Sequence, residues 1–239
     1  MNELIGIDGC RKGWFCVIFD GRNFSYMLLE KLPDLFKTHA TTESILIDIP
    51  IGLSTKDSPR TIDTLLRKSL IPRGSTVFNA PCRAAIYATD FNSARRINMA
   101  VEGKSLSAQT LNITSKIRET DELIRENNYS AKFNESHPEL CFKYLNPSRS
   151  VVRSKKSTPE GIEQRLQILE LYEHKTRSIF RKIIGETKRK DVKKDDIIDA
   201  LCLCIVNKLG FENGLSYLSD NHDKDHIGIP IKIAYFDPK

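Results

Sequence analysis

The sequence has no apolar stretch long enough to span a membrane and no start typical of a secreted protein. The most apolar run, residues 197–206, contains Asp199 and is about half of the roughly 18–20 residues that a membrane helix needs. No basic segment followed by an apolar one opens the chain, so no secretory signal is predicted. These absences predict a cytoplasmic protein that has no membrane partner.

The sequence also has no cysteine pair with the spacing of a redox motif or a zinc site. None of the six cysteines forms a CxxC pair. Two of them, Cys202 and Cys204, lie in an apolar run, where a free cysteine behaves as a small hydrophobic residue. We therefore expect all six thiols to be reduced and structural, and we expect no metal binding through sulfur.

Positive charge is concentrated in one part of the chain. Residues 143–194 contain fifteen Lys/Arg and six Asp/Glu, a net charge of +9, whereas the other 187 residues sum to −3. A basic segment on a mildly acidic body suits a polyanionic partner such as nucleic acid. A solvated helix face followed by a lysine-rich loop explains the same charges without a partner.

The hydrophobic pattern predicts an α/β fold with a five-stranded mixed sheet. Short β-rich runs bounded by glycine or proline predict strands at residues 4–8, 14–19, 24–29, 45–49 and 132–135. The tail 227–235 is compatible with an additional edge strand, because Pro230 fits poorly in a central one. Helical periodicity over about 54–128, without linker-like flanks, predicts a mostly helical insertion after the fourth strand of a single domain, 1–239.

Two helices are predicted in the last third of the chain. Thr158-Pro159-Glu160 is typical of a helix start, and the periodic apolar residues that follow predict a helix as far as Gly185. The final helix, 195–209, is apolar nearly all round and is therefore expected to be buried.

Four acidic residues lie in apolar surroundings where a carboxylate is costly. Asp8, Asp48 and Glu135 end or follow predicted strands, and Asp199 lies in the apolar final helix. An isolated buried carboxylate is disfavoured unless it is paired, protonated or bound to a metal. Several such carboxylates from different elements therefore suggest a shared cation.

The expected position of these acids also favours one site. Asp196 and Asp199 are three residues apart, so a helix places them on one side, about 5–6 Å apart at Cβ. Ligands of α/β folds bind at the carboxyl ends of the strands, where Asp8, Asp48 and Glu135 are expected. Oxygen ligands alone favour Mg²⁺ or Mn²⁺ over zinc.

Each acid also has a structural explanation that the sequence leaves open. Asp8 precedes glycine, and Asp-Gly is a common turn pair. Asp195 or Asp196 is suited to capping the final helix. Asp199 is compatible with a buried arginine partner, and Glu135 with a lysine. Taken together, the acids indicate a shared cation site more specifically than any one of them does.

Five segments resemble the domain of unknown function 429 family, whose members are described as predicted nucleases of RNase H fold. The resemblance extends over roughly residues 5–209. The segments are Gly6-Ile7-Asp8-Gly9-Cys10-Arg11-Lys12-Gly13-Trp14, Ile47-Asp48-Ile49-Pro50-Ile51-Gly52-Leu53, Ser75-Thr76-Val77-Phe78-Asn79-Ala80-Pro81, Glu135-Ser136-His137-Pro138-Glu139 and Asp195-Asp196-Ile197-Ile198-Asp199-Ala200.

The resemblance implies an RNase H-like fold and a catalytic metal site. RNase H-like enzymes use an acid on the first strand, an acid on the fourth and one or two acids on a later helix. The matching residues are Asp8, Asp48, Asp196 and Asp199, in an arrangement similar to that of Holliday-junction resolvases. These acids would hold two Mg²⁺ or Mn²⁺ ions about 3.5–4 Å apart and support phosphodiester hydrolysis.

Further residues are assigned provisional roles in the same hypothesis. Glu135 and His137 match the family's own motif, with His137 expected to donate a proton or hold a phosphate, or else to be a structural residue of the turn before Pro138. Phosphate contacts are expected from six basic residues, namely Arg11, Lys12, Arg73, Arg83, Lys155 and Lys156. The lysine-rich loop 188–194 is expected to contact the nucleic-acid backbone as well. The choice between DNA and RNA and the oligomeric state stay open, with a homodimer as one option.

Two other functions compete with a nuclease. Sugar kinases and actin-like ATPases share an RNase H-type core and begin with an Asp-Gly phosphate turn, which Asp8-Gly9 offers, but no later glycine-rich adenosine motif is present. A non-catalytic binding or structural protein is the second alternative. It predicts that Asp8→Asn or Asp199→Asn raises thermal stability without any change in function.

Overall fold

The computed structural model describes residues 3–127, 129–219 and 224–238. The chain forms two compact units. The first consists of Met1–Asp48, Lys132–Tyr217 and Ala234–Lys239, and the second of Ile49–Ala131 and Leu218–Ile233. The single domain expected from the sequence stays a prediction. In the described part of the chain, no helix has both the length and the apolar character needed to cross a bilayer.

The described residues form a mixed sheet of seven strands rather than the predicted five. The strands are β1 (Leu4–Cys10), β2 (Gly13–Phe19), β3 (Phe24–Leu29), β4 (Ser44–Ile47), β5 (Phe133–Ser136), β6 (Ser216–Leu218) and β7 (Ile233–Tyr235). Their order is β3-β2-β1-β4-β5-β7-β6. The first three strands are antiparallel neighbours, whereas β4 is parallel to both β1 and β5.

The two additional strands explain why the predicted count was wrong. Both β6 and β7 are three residues long, too short to show an alternating pattern. The tail does contribute a strand, because β7 lies within residues 227–235, but its expected edge position was wrong, since β7 lies between β5 and β6. Pro230 does not interfere with this pairing, since it precedes β7 and only forms an isolated bridge with Lys224.

One long buried helix organises the first unit. Helix α8 (Lys194–Asn213) packs against β1, β2 and β4, and its apolar residues form the centre of the core, as its all-round apolar sequence predicts. Helices α5 (Pro138–Leu145), α6 (Pro159–Glu170) and α7 (Thr176–Glu186) pack on α8. The predicted single helix ending at Gly185 was wrong, because the chain turns after α6 and Gly185 lies inside α7.

The second unit is mostly helical, as the periodicity after β4 predicts. Its helices are α1 (Ile62–Ser69), α2 (Arg83–Ile86), α3 (Phe91–Glu102) and α4 (Ala108–Asn127). Asp90 caps α3, since its carboxylate accepts hydrogen bonds from the N–H groups of Asn92 and Ser93. A small apolar cluster that includes Cys82, Ala94 and Leu111 joins α2, α3 and α4.

Candidate metal centre

Asp8 in β1 and Asp48 directly after β4 lie side by side, because these two strands are parallel neighbours. Ile7 of β1 is paired with Ile47 of β4, and the N–H of Asp48 donates a 3.0 Å hydrogen bond to the carbonyl of Ile7. Because side chains alternate between the faces of a strand, this register sends both carboxylates to the same face. Asp8 and Gly9 are both inside β1, so the alternative of an Asp-Gly turn was wrong.

Asp199 reaches the same place from α8. It lies in the second turn of that helix and is only 1% exposed. Carboxylate oxygens of Asp8, Asp48 and Asp199, one from each residue, lie within 4.8 Å of one another. Three residues that are far apart in the sequence therefore form one cluster, the acidic triad (Asp8, Asp48 and Asp199).

Burial and mutual repulsion raise the pKa of two of these carboxyls. Burial is the largest cause for Asp8, whose pKa lies well above its usual value and is raised further by the charges of Asp48 and Asp199. Burial also raises the pKa of Asp48 to about 7, although the charge of Lys156 opposes the shift. The triad therefore holds its full negative charge at neutral pH only if cations balance it.

Lys156 supplies one positive charge to the triad. Its Nζ lies 2.5 Å from Oδ2 of Asp199. The charge of Asp199 is the main reason that the pKa of Lys156 is raised, with further contributions from Asp8 and Asp48. The alternative of an arginine partner for Asp199 was wrong, because its partner is this lysine. Contact of Lys156 with nucleic acid stays a prediction.

The other oxygen of Asp199 is left without a partner. Its Oδ1 atom is buried and accepts no hydrogen bond from any of the residues that the structure describes. An unsatisfied buried acceptor costs about 1–3 kcal/mol, and more when it is charged. A hard cation bound by the triad would remove this cost, since carboxylate oxygens are its preferred ligands. The acidic triad could therefore hold a metal ion.

Asp196 lies near the triad but is occupied at the start of α8. Its Oδ2 accepts a 3.0 Å hydrogen bond from the N–H of Lys193. Burial raises the pKa of Asp196, and this hydrogen bond opposes the shift. Over the described ranges, the carboxylates gathered within 4.8 Å do not include Asp196. The capping role considered for Asp195 or Asp196 thus belongs to Asp196.

Glu135 and His137 do not join the triad. Glu135 is paired with Ile47, one position before Asp48, so the alternation of β5 directs it to the opposite face. Its charge still raises the pKa of Asp48. His137 directly precedes α5, and its ring does not cap that helix. The catalytic roles of both residues stay predictions.

The sequence interpretation missed a buried ion pair next to the site. Nη2 of the fully buried Arg165 donates a 2.6 Å hydrogen bond to Oε1 of Glu139. Oε2 of Glu139 is buried and has no hydrogen-bond partner among the described residues, and the charge of Glu139 raises the pKa of Asp48. A signal was present, because Arg165 lies between Ile162 and Leu169 on the apolar stripe of α6.

Three of the four predicted phosphate-binding residues in the first unit are exposed, whereas Lys156 is half-buried. Arg11 and Lys155 are solvent-accessible, and Nζ of Lys12 lies 3.8 Å from a carboxylate oxygen of Glu30. A cavity of about 360 Å³, the basic cavity, is lined by Arg11, Arg189, Lys190 and Lys193. It lies at the start of α8, where Lys193 binds Asp196.

Arg73 and Arg83 belong to the second unit. Arg83 is buried there, with Nη2 at 2.8 Å from Asp121 and 2.6 Å from Asp225. These ion pairs give Arg83 a structural role and leave its guanidinium away from the exposed surface that the predicted phosphate contact requires. Arg73 is partly exposed, and its phosphate contact stays a prediction.

Comparison with known families assigns the chain to one family. A family model described as "Protein of unknown function (DUF429)" matches residues 6–217. The chain belongs to this family. The match confirms the family resemblance seen in the five sequence segments. No curated protein and no solved structure matches the chain.

Four of the five DUF429 segments supply the site or its border. The first contributes Asp8 on β1, and the second contributes Asp48 just after β4. The fourth contributes Glu135 and Glu139, and the last contributes Asp199. The segment at residues 75–81 instead lies in the second unit.

Proposed function

We propose that this DUF429 protein is a divalent-metal-dependent nuclease with an RNase H-like fold, hydrolysing phosphodiester bonds in DNA or RNA. The acidic triad, with its unpartnered Oδ1 of Asp199, is the observation that carries the proposal. RNase H-like enzymes take their acids from the first strand, the fourth strand and a later helix. The triad takes Asp8 from β1, Asp48 from the end of β4 and Asp199 from α8, which supports the assignment.

The donor set favours Mg²⁺ or Mn²⁺ as the cofactor. All three ligands are carboxylates, and oxygen ligands suit these hard cations. When bound, such an ion makes a coordinated water more acidic and neutralises charge on the phosphate. Asp8, Asp48 and Asp199 would hold it, with Oδ1 of Asp199 free of competing hydrogen-bond donors from the described residues.

The proposed reaction is hydrolysis. The oxygen of a water molecule forms a bond to phosphorus, the bond from phosphorus to the leaving oxygen breaks, and the proton lost by water ends on that leaving oxygen. His137, directly after β5, is the proposed donor of this proton or a phosphate ligand. Glu135 and Glu139 would act through their charges on Asp48, as they do on its pKa.

The basic cavity is the proposed contact for the nucleic-acid backbone. Arg11 follows Asp8 by three residues, and Lys193 precedes Asp199 by six, so this cavity and the triad share the same end of β1 and α8. Exposed arginine and lysine bind phosphates without reading sequence, which suits a nuclease of broad specificity.

The test compares matched variants on a panel of single-stranded, double-stranded and branched DNA and RNA. We expect cleavage by the wild type with Mg²⁺ or Mn²⁺, none with EDTA and none for Asp199→Asn. Asp195→Asn, an acid of the same helix outside the triad, serves as the control and should cleave normally. ATP binding without metal-dependent cleavage would contradict the proposal and favour an actin-like or sugar-kinase-like activity.

A further inference from the structure

The two oxygens of Asp199 have different environments. Oδ2 is bound by the ammonium of Lys156 at 2.5 Å, whereas Oδ1 is buried and has no partner in the described parts of the chain. Lys156 comes from neither the sheet nor α8, since it lies in the irregular segment between α5 and α6. The fold therefore brings an additional element to the triad whose contribution is a positive charge.

The charges of this arrangement suit one divalent ion. The three ionised carboxylates carry −3, and the ammonium of Lys156 reduces this to −2, which one divalent ion neutralises. A second ion would need further ligands. One oxygen of Asp196 already accepts a hydrogen bond from the backbone N–H of Lys193, and one oxygen of Glu139 already accepts one from the buried Arg165, so a second ion would compete with these donors.

We propose that Lys156 is a catalytic residue that takes the place of a second metal ion, so that the site binds one divalent cation and the ammonium binds a non-bridging phosphate oxygen. This inference rests on the proposed nuclease function and replaces the two ions that the family resemblance implies. Lys156 keeps its proton throughout, and the bonds that form and break are those of the hydrolysis given above.

The exposure and chemistry of Lys156 suit this role. Its side chain is 40% exposed, and in the proposed role a phosphate approaches the ammonium from solvent while Asp199 holds it from the other side. An ammonium is a compact charge with three donors, and it forms strong hydrogen bonds with phosphate oxygens. Charge that develops on those oxygens in the transition state is stabilised by a donor already in position.

The experiment uses the full chain and two readouts. Mn²⁺ binding is measured by titration with electron paramagnetic resonance at pH 8, and cleavage is measured on the best substrate of the panel. Lys156→Met removes the charge, and Lys156→Arg keeps it. Lys37→Met is the control, because Lys37 forms an exposed ion pair with Asp34 within the short segment Leu32–Lys37.

We expect the wild type to bind one Mn²⁺ per chain without spin coupling. Lys156→Met should bind Mn²⁺ about tenfold more tightly, because a like charge is gone, yet cleave about 100-fold to 1,000-fold more slowly. Lys156→Arg should keep the wild-type Mn²⁺ affinity and recover part of the rate. Lys37→Met should match the wild type in both readouts.

The contrary outcomes distinguish a failure of the role of Lys156 from a failure of the nuclease proposal. Two coupled Mn²⁺ ions per wild-type chain, or full cleavage by Lys156→Met, would overturn the role of Lys156. An unchanged Mn²⁺ affinity in Lys156→Met would overturn it as well. If the wild type cleaves nothing, the nuclease proposal fails, while one bound Mn²⁺ and tighter binding by Lys156→Met would still support Lys156 as the second positive charge.

Discussion

Gly6 of β1 lies directly against the backbone of Cys204 in α8. A Cβ atom on Gly6 would be 2.1 Å from the backbone N of Cys204 and 2.3 Å from the carbonyl oxygen of Ala200. Only glycine allows β1 and α8 to approach this closely. Asp8 is two residues after Gly6 on the same face, so this contact sets the distance between Asp8 and Asp199.

We predict that Gly6→Ala is strongly destabilising. The added methyl group would push α8 from the sheet, at a cost of about 3 kcal/mol, the upper part of the range for overpacked cores. Gly185→Ala is the matched control, because a Cβ there meets open space in α7. It should stabilise the protein by about 0.5–1 kcal/mol. Urea unfolding measures both, and equal stability of Gly6→Ala and the wild type would contradict the close approach.

The sequence predicted β1, β4 and the triad because the relevant signals are local. Asp8 and Asp48 each follow a short β-rich run, and Asp199 interrupts an apolar helix, so their cost of burial is visible without a structure. Lys156 was predicted only as a phosphate contact and Glu139 was given no role, because a lysine in a loop and a glutamate in a first helical turn both have ordinary explanations. Only three-dimensional packing reveals their partners.

The buried ion pair of Arg165 and Glu139 gives a second prediction. Arg165→Met should destabilise the protein by about 3–5 kcal/mol, because Glu139 is left buried without its cation. Adding Glu139→Gln should recover most of that loss, since the unpaired charge is removed. A double-mutant cycle from denaturant unfolding measures the coupling. If the two changes were additive, the pair would not be the buried contact seen here.

The raised pKa of Asp48 predicts how stability depends on pH in EDTA. Its pKa is about 7 in the folded protein against 3.8 ordinarily, so the folded state binds more protons than the unfolded chain between these values. The contribution of Asp48 to the free energy of unfolding therefore falls as pH rises from about 4 to about 7. Asp48→Asn should remove that fall and raise stability at pH 7 by about 1–3 kcal/mol, allowing for its partial exposure.

Thermal unfolding across pH 4–8 tests this difference. The exposed Asp57→Asn serves as the control and should keep the wild-type slope. An Asp48→Asn variant with the slope of the wild type would show that the carboxyl of Asp48 is not shifted. If the acids serve only structure, as the non-catalytic alternative holds, Asp48→Asn would gain stability without loss of any metal-dependent function.

The basic cavity predicts a salt-dependent affinity for nucleic acid. Removing two phosphate contacts with Arg189→Ala and Lys190→Ala together should reduce the slope of log K against log salt by about 2. The double variant Arg22→Ala and Lys37→Ala removes the same charge from exposed positions outside the cavity and should change the slope little. Filter binding at several salt concentrations measures the slope for each variant. Equal slopes for both double variants would exclude the cavity as the binding surface.

The extra strands and the broken helix show where sequence patterns fail. β6 and β7 are formed by pairing partners that are distant in the chain, and three residues carry no recognisable period. The turn between α6 and α7 interrupts an apolar stripe that continues on both sides of it. In that turn, Glu173 binds the side chain of Lys208, a contact that the local pattern does not contain.

Anomalous scattering from a crystal grown with Mn²⁺ tests the central claim most directly. We predict one peak at the manganese edge, bounded by Asp8, Asp48 and Oδ1 of Asp199, which is absent from crystals of Asp199→Asn. A triad without a peak at Mn²⁺ concentrations that support any activity, or a peak held by other residues, would contradict the account.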